Sequence, residues 1–147
     1  MKHFASLLFT VLCTCSLQAQ GIKPDYIKKV PQAFKDCGAL YAADQASLKQ
    51  HKYIFVADFQ NKALITINGK AIPLVLSESA LTGNNTNVTL YTGGGYTVKL
   101  SVKTTGQHKG ADTEAGSLQI MKGKMKQFVT IVGESSCDES KQEGNSR

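Results

Sequence analysis

Tyr96 to Lys103 alternates without a break. Tyr96, Val98, Leu100 and Val102 are apolar, and Thr97, Lys99, Ser101 and Lys103 are polar. A period of two sends successive side chains to opposite faces, so this stretch predicts a strand with one wet face, as in an antiparallel sheet. Lys52 to Phe59 (KYIFVADF) is apolar on both faces over its first half, which predicts a central strand. In Ile65 to Leu76 (ITINGKAIPLVL), Asn68-Gly69 suits the positive φ values of a type I′ turn. That turn sets a register: Ile67 opposite Lys70, Ile65 opposite Ile72, Ala63 opposite Leu74. Pro73 falls opposite Leu64 and lacks an N–H, so it marks a sheet edge or a bulge.

Asn87–Thr92, Ser117–Lys122 and Met125–Gly133 read as further strands, with turns at Gly93-Gly94-Gly95 and Gly123-Lys124. Residues 77–87 and 104–116 are polar and turn-rich and read as loops, the first with a helical turn at Ser79–Leu81. In the stretch from Gly21 to Ala46, Pro24 and Pro31 punctuate the chain. Asp25 is placed to cap a helical turn from Tyr26 to Val30, a second turn covers Gln32–Asp36, and Asp44 reads as a turn or cap residue. The expected fold is mainly β: a small antiparallel barrel or sandwich of about seven strands with a short, partly helical N-terminal arm. One domain spans residues 21–137, and a disordered polar tail spans 138–147.

Residues 1–20, MKHFASLLFTVLCTCSLQAQ, combine a basic start, a short apolar run and a small-residue ending. That is the pattern of a secretory signal peptide, with cleavage after Ala19 or Gln20. It implies an exported protein, periplasmic or secreted. Cys13 and Cys15 leave lipid anchoring as an alternative, but Leu12 and Thr14 precede them where a small residue is wanted. No later stretch approaches the ~20 apolar residues of a spanning helix. Removing the leader leaves two of the four cysteines, Cys37 and Cys137, one near each end. In an exported chain these predict one disulfide.

The formal net charge is +6. Lysines supply nearly all of the excess, and Arg147 is the only arginine, so a stacked, Arg-rich nucleic-acid surface is not expected. A solvated basic surface is the reading, with attraction to an anionic cell surface as the alternative. Catalytic sets are thin. His51 and His108 are the histidines beyond the leader, and no Gly-x-Ser-x-Gly elbow is present. His108 shares a polar stretch with Asp112 and Glu114, which suggests an acid–base pair or metal site only against a solvated loop. Asp58 ends an apolar strand and reads as a turn former with Gln60-Asn61. Tyr91 and Tyr96 flank the triple glycine, as core residues or as a small recognition surface. No catalytic residue, metal or cofactor is expected.

The run CGALYAADQASLKQHKYIFVADFQNKALITINGKAIPL and the leader ending in Gln-Ala-Gln resemble small exported proteins of Bacteroidetes-type bacteria. The NGK hairpin, the later LYTGGGYTVKL strand pair and a cysteine near each end also resemble the periplasmic C-type lysozyme inhibitors. That resemblance implies a small disulfide-bearing β-barrel. The inhibitors' Ser-Gly-x-x-Tyr loop has no match in SESALTGNNTNVTLY, where Thr82 precedes Gly83, and Tyr91 leads into Thr92 and three glycines instead of Lys-Gly. The expected function is non-enzymatic binding of a protein or envelope component through residues 77–87 and 104–116. Two alternatives are lysozyme inhibition and a small hydrolase using His51 or His108 with a carboxylate.

Overall fold

A computed structural model describes residues 21–138. Residues 1–20, expected to be a signal peptide, and residues 139–147 of the expected tail lie outside the described residues. The elements in chain order are β1 (Pro24–Asp25), α1 (Gln32–Asp36), β2 (Cys37–Ala42), α2 (Gln45–Lys49), β3 (Phe55–Asp58), β4 (Lys62–Ile67), β5 (Lys70–Leu81), β6 (Asn87–Gly93), β7 (Tyr96–His108), β8 (Ala111–Lys122) and β9 (Met125–Cys137). Strand neighbours run β4-β3-β2-β9-β8-β7-β6-β5, and β5 returns to β4. Eight antiparallel strands therefore close a barrel, and β1 adds to β4 with Pro24 opposite Ile67.

Two apolar layers hold it together. Phe55, Ile65, Leu74, Val98, Leu118, Ile120 and Ile131 are fully buried in the main cluster, on the inward positions of their strands. An eight-stranded barrel has an interior just wide enough for side chains to fill. A second cluster lies outside the wall. There Ile27 and Val30 of the N-terminal arm, Phe34 of α1 and Leu48 of α2 cover Leu40, Val56, Leu64 and Val132. Each layer explains part of the sequence pattern. The strand at 52–59 is apolar on both faces because Phe55 and Ala57 point into the barrel while Val56 points into the arm.

The β4–β5 hairpin has the register expected from Asn68-Gly69, including Leu64 opposite Pro73. Asn68 and Gly69 sit at φ 51° and 76°, the pair of positive values a type I′ turn requires. Ile67 and Lys70 flank this turn as a hydrogen-bonded pair, and such pairs alternate along the ladder. Pro73 therefore turns its nitrogen away from β4. On that far side the ladder to β6 begins only at Val75 opposite Thr92, so no hydrogen bond is lost.

Three readings from the sequence need correcting. The chain from Tyr26 to Val30 is not helical; it lies along the barrel wall, where the Ile27 N–H donates to the Tyr53 carbonyl at 2.8 Å. Burying Ile27 and Val30 outweighs the weak local helix signal. Cys37–Ala42 is not part of the arm but the strand β2, paired with β3 and β9. Most of residues 77–87 and 104–116 is strand as well: β5 runs to Leu81, β7 to His108, and β8 begins at Ala111. Their tips outrun the core, so neither face carries an apolar alternation, and backbone ladders with side-chain hydrogen bonds hold them extended. Gln32–Asp36 is helical as expected. Asp44 caps α2, its Oδ1 accepting from the Ser47 N–H at 2.7 Å.

Cys37 and Cys137 are directly opposed on β2 and β9 and form a disulfide. It ties the first barrel strand to the last. Beyond it the Asp138 N–H donates to the Asp36 carbonyl. Among the described residues no helix is long and apolar enough to cross a membrane.

Candidate functional site

The up-and-down order of strands divides the connections between two ends. The turns at 68–69, 94–95 and 123–124 and helix α2 lie at one end. The turns at 59–61, 82–86 and 109–110 and the disulfide lie at the other. At this second end the strands run past the core and make two arms.

The first arm is the far half of β5 with the start of β6, paired from Glu78 opposite Leu90 to Leu81 opposite Asn87. A register shift between Leu76 and Glu78 follows the point where β5 parts from β4 at Val75, while β6 stays paired with β7 out to Asn87 opposite Val102. Its tip is held by the Thr82 N–H and Oγ1, both donating to the Thr86 carbonyl. Leu81 stands 72% exposed there. The second arm is β7 with β8, paired out to His108 opposite Ala111, with a register shift between Thr104 and Gly106. Lys109 and Gly110 turn it at φ 50° and 82°. Thr105 Oγ1 donates to the Thr113 carbonyl at 3.1 Å, and Gln107 Nε2 donates to Asp112 Oδ1 at 2.9 Å. Residues 103–110 are all exposed. These arms are ordered by hydrogen bonds and present polar side chains to solvent.

A polar cluster sits where the arms leave the barrel. The Tyr41 hydroxyl donates to Glu114 Oε2, and Ser135 Oγ donates to Glu114 Oε1 at 3.2 Å. Three strands, β2, β8 and β9, thus meet at one carboxylate. Gly133 lies opposite both Tyr41 and Glu114. A Cβ at Gly133 would stand 2.3 Å from Tyr41 Cδ1, so its absence lets the phenol cross β9 to reach Glu114. Tyr41 is 2% exposed. Burial pushes its pKa far up, and the Glu114 charge adds to the rise. It is therefore a fixed hydrogen-bond donor at neutral pH. Phe55 stands between Tyr41 and Tyr91, with ring centroids 6.1 and 5.5 Å away. Burial, with the Asp58 charge, raises the Tyr91 pKa to about 12.

The residues singled out in the sequence are scattered. His51 is at the α2 end, with Nδ1 2.9 Å from the Tyr53 hydroxyl. His108 is exposed at the tip of the second arm, at the opposite end. Asp112 and Glu114 are not grouped around His108: Asp112 faces Gln107 and Glu114 faces Tyr41. Asp58 is the turn former expected, its Oδ1 accepting from the Gln60, Asn61 and Lys62 N–H groups. Tyr91 points into the core, so it does not frame a surface with Tyr96. Among the described residues no group of three His, Cys, Asp or Glu side chains is placed to hold a metal ion.

A shallow depression of about 560 Å³ lies on the flank, where Lys28, Lys29, Lys35 and His51 surround an apolar floor with Leu40 and Tyr53. The sequence did not point to it, because its lysines come from the N-terminal arm and α1 and its floor from β2 and the segment leading into β3. Nor did the sequence point to the Tyr41–Glu114–Ser135 cluster. The available signal was Gly133, a glycine inside a strand, which often marks a close approach by another group.

No family model, curated protein or solved structure matches this chain.

Proposed function

We propose that the chain is an exported, non-enzymatic β-barrel domain that binds a protein or an envelope component through the two arms, residues 77–87 and 104–116. The observation that supports this is their construction. Each arm is a hydrogen-bonded hairpin rooted in the wall of a side-chain-filled barrel, with β6 paired to β7 and β8 paired to β9 at its base and its tip projecting. Ordered segments on a rigid scaffold are where recognition commonly sits. Leu81 at one tip, and His108 and Lys109 at the other, are the contacts that matter most. A pre-ordered hairpin loses little conformational freedom on binding. The test is sedimentation of the chain from Gly21 to Arg147 with bacterial envelopes separated into membrane, peptidoglycan and periplasmic fractions. Leu81→Ser and His108→Ala/Lys109→Ala each weaken retention at least tenfold while the melting temperature holds. Retention untouched by both variants contradicts the reading.

A second reading has one observation in its favour. The closed barrel with Cys37–Cys137 joining its first and last strands is the kind of frame that the resemblance to C-type lysozyme inhibitors implies. Titrating the chain against lysozymes of several types decides it: dose-dependent loss of lysis supports inhibition, and unchanged lysis by all of them removes it.

A further inference from the structure

The barrel is electrically polarised along its axis. At the end opposite the arms, Lys23 and Lys70 flank the β4–β5 turn, Lys49 and Lys52 flank the end of α2, and Lys122, Lys124 and Lys126 surround the β8–β9 turn. These seven lysines face two acids, Asp25 and Asp44, a net of +5. At the arm end the balance reverses: seven acids, among them Asp58, Asp112 and Glu134, face four lysines, a net of −3. The lysines of the first end are far apart in sequence. The strand order spreads them around the rim, because β4–β5 and β8–β9 stand on opposite sides of the barrel.

Apolar side chains interrupt this rim. Met125, at the β8–β9 turn, is 39% exposed, and Phe128, further along the outer side of β9, is 65% exposed. Lys122 lies with Nζ 4.7 Å from the Tyr96 ring centroid, which sets an aromatic edge into the same rim. We propose that this lysine-collared end is a peripheral docking surface for an anionic lipid bilayer, with Met125 and Phe128 as shallow apolar anchors.

The shape and chemistry both favour a bilayer. A ring of charges around a blunt barrel end matches a broad, evenly charged plane, whereas a linear polyanion would want a groove. Lysines without arginine suit diffuse attraction to headgroups better than bidentate capture of one phosphate. Basic residues near an anionic leaflet act roughly additively, and interfacial apolar side chains add to them. Docked this way, the acidic end and both arms point away from the surface, free to meet a partner. This surface is separate from the arms, so it stands or falls independently of the function proposed for them.

The test is co-sedimentation of the chain beginning at Gly21, which holds every barrel strand and both bridged cysteines, with two kinds of vesicle. One is phosphatidylcholine alone, and the other contains phosphatidylglycerol as well. The chain binds the second and not the first, and raising salt to about 1 M, where the screening length is about 3 Å, releases it. Two variants with the same net charge locate the surface. Lys70→Gln/Lys124→Gln/Lys126→Gln weakens binding roughly 100-fold, while Lys35→Gln/Lys62→Gln/Lys103→Gln, at the arm end but outside the arm tips, changes it less than about threefold. Phe128→Ser weakens binding with no change in its salt dependence. Equal loss in both triple variants, equal binding to the neutral vesicles, or no binding to either vesicle overturns the proposal.

Discussion

Replacing Tyr41 with Phe removes one hydroxyl from the point where β2, β8 and β9 meet. The phenyl ring keeps its contact with Phe55 and its passage over Gly133, so the packing loss is small. What changes is Glu114, which keeps the Ser135 hydroxyl and loses its buried donor. A hydrogen bond to a charged group contributes about 1.5–3 kcal/mol. Glu114 is only half-buried, so water replaces part of the bond and the lower end applies, about 1.5–2 kcal/mol. For about 120 residues the unfolding entropy is roughly 0.25 kcal/mol/K. Tyr41→Phe should therefore lower the melting temperature by about 6–8 °C. A double-mutant cycle with Glu114→Ala should return a coupling of about 1.5 kcal/mol, since residues in one network do not add. Thermal unfolding followed by far-ultraviolet circular dichroism reads both numbers. A shift within about 1 °C, or a loss of the same size whether or not Glu114 is present, would refute the idea that this contact holds the arm base.

Two further outcomes follow from the fold. The disulfide closes a separation of 100 residues, for which the chain-entropy account gives about 4–5 kcal/mol. Cys37→Ala/Cys137→Ala should lower the guanidinium midpoint accordingly, and two titratable thiols in the denatured, unreduced parent would show the bridge absent. Tyr41 and Tyr91 are both raised above the unfolded value near 10, so the folded state holds protons that the unfolded chain releases. Their stabilisation is intact below pH 10 and is lost as pH rises, by about 1.4 kcal/mol per pH unit for each tyrosine, until pH nears 12 for Tyr91. Burial raises Tyr53 as well, so Tyr91→Phe should remove part of the alkaline slope between about pH 10 and 11.5, and an unchanged slope would assign the alkaline loss to other groups.

What could be read in advance depended on where burial writes a pattern. Val98, Leu100 and Val102 are buried at alternate positions, and Asn68-Gly69 fixed its hairpin register by local geometry alone. The paired cysteines announced a disulfide between the two ends of the domain without naming the strands it joins or choosing between barrel and sandwich. CGALYA hid β2 because it is apolar on both faces, inward through Ala39 and Tyr41 and outward through Leu40 and Ala42, and it follows a proline-marked arm. Leu81, Thr105 and His108 lie beyond the core, so no apolar alternation announces that their segments are strands. Glu114 reads as one acid in a polar stretch, because its partners Tyr41 and Ser135 are 73 and 21 residues away. The rim of lysines was visible only as a dispersed charge excess until the strand order gathered it at one end.

The claim that the arms carry recognition can be tested by placing a photoactivatable cross-linking residue at Leu81, at Lys109 or at Thr130, an exposed position on the barrel wall. With intact bacterial envelopes, irradiation should give one defined adduct, identifiable by mass spectrometry, from both arm positions and none from Thr130. An adduct from Thr130 alone, or none from Leu81 and Lys109, would contradict the account.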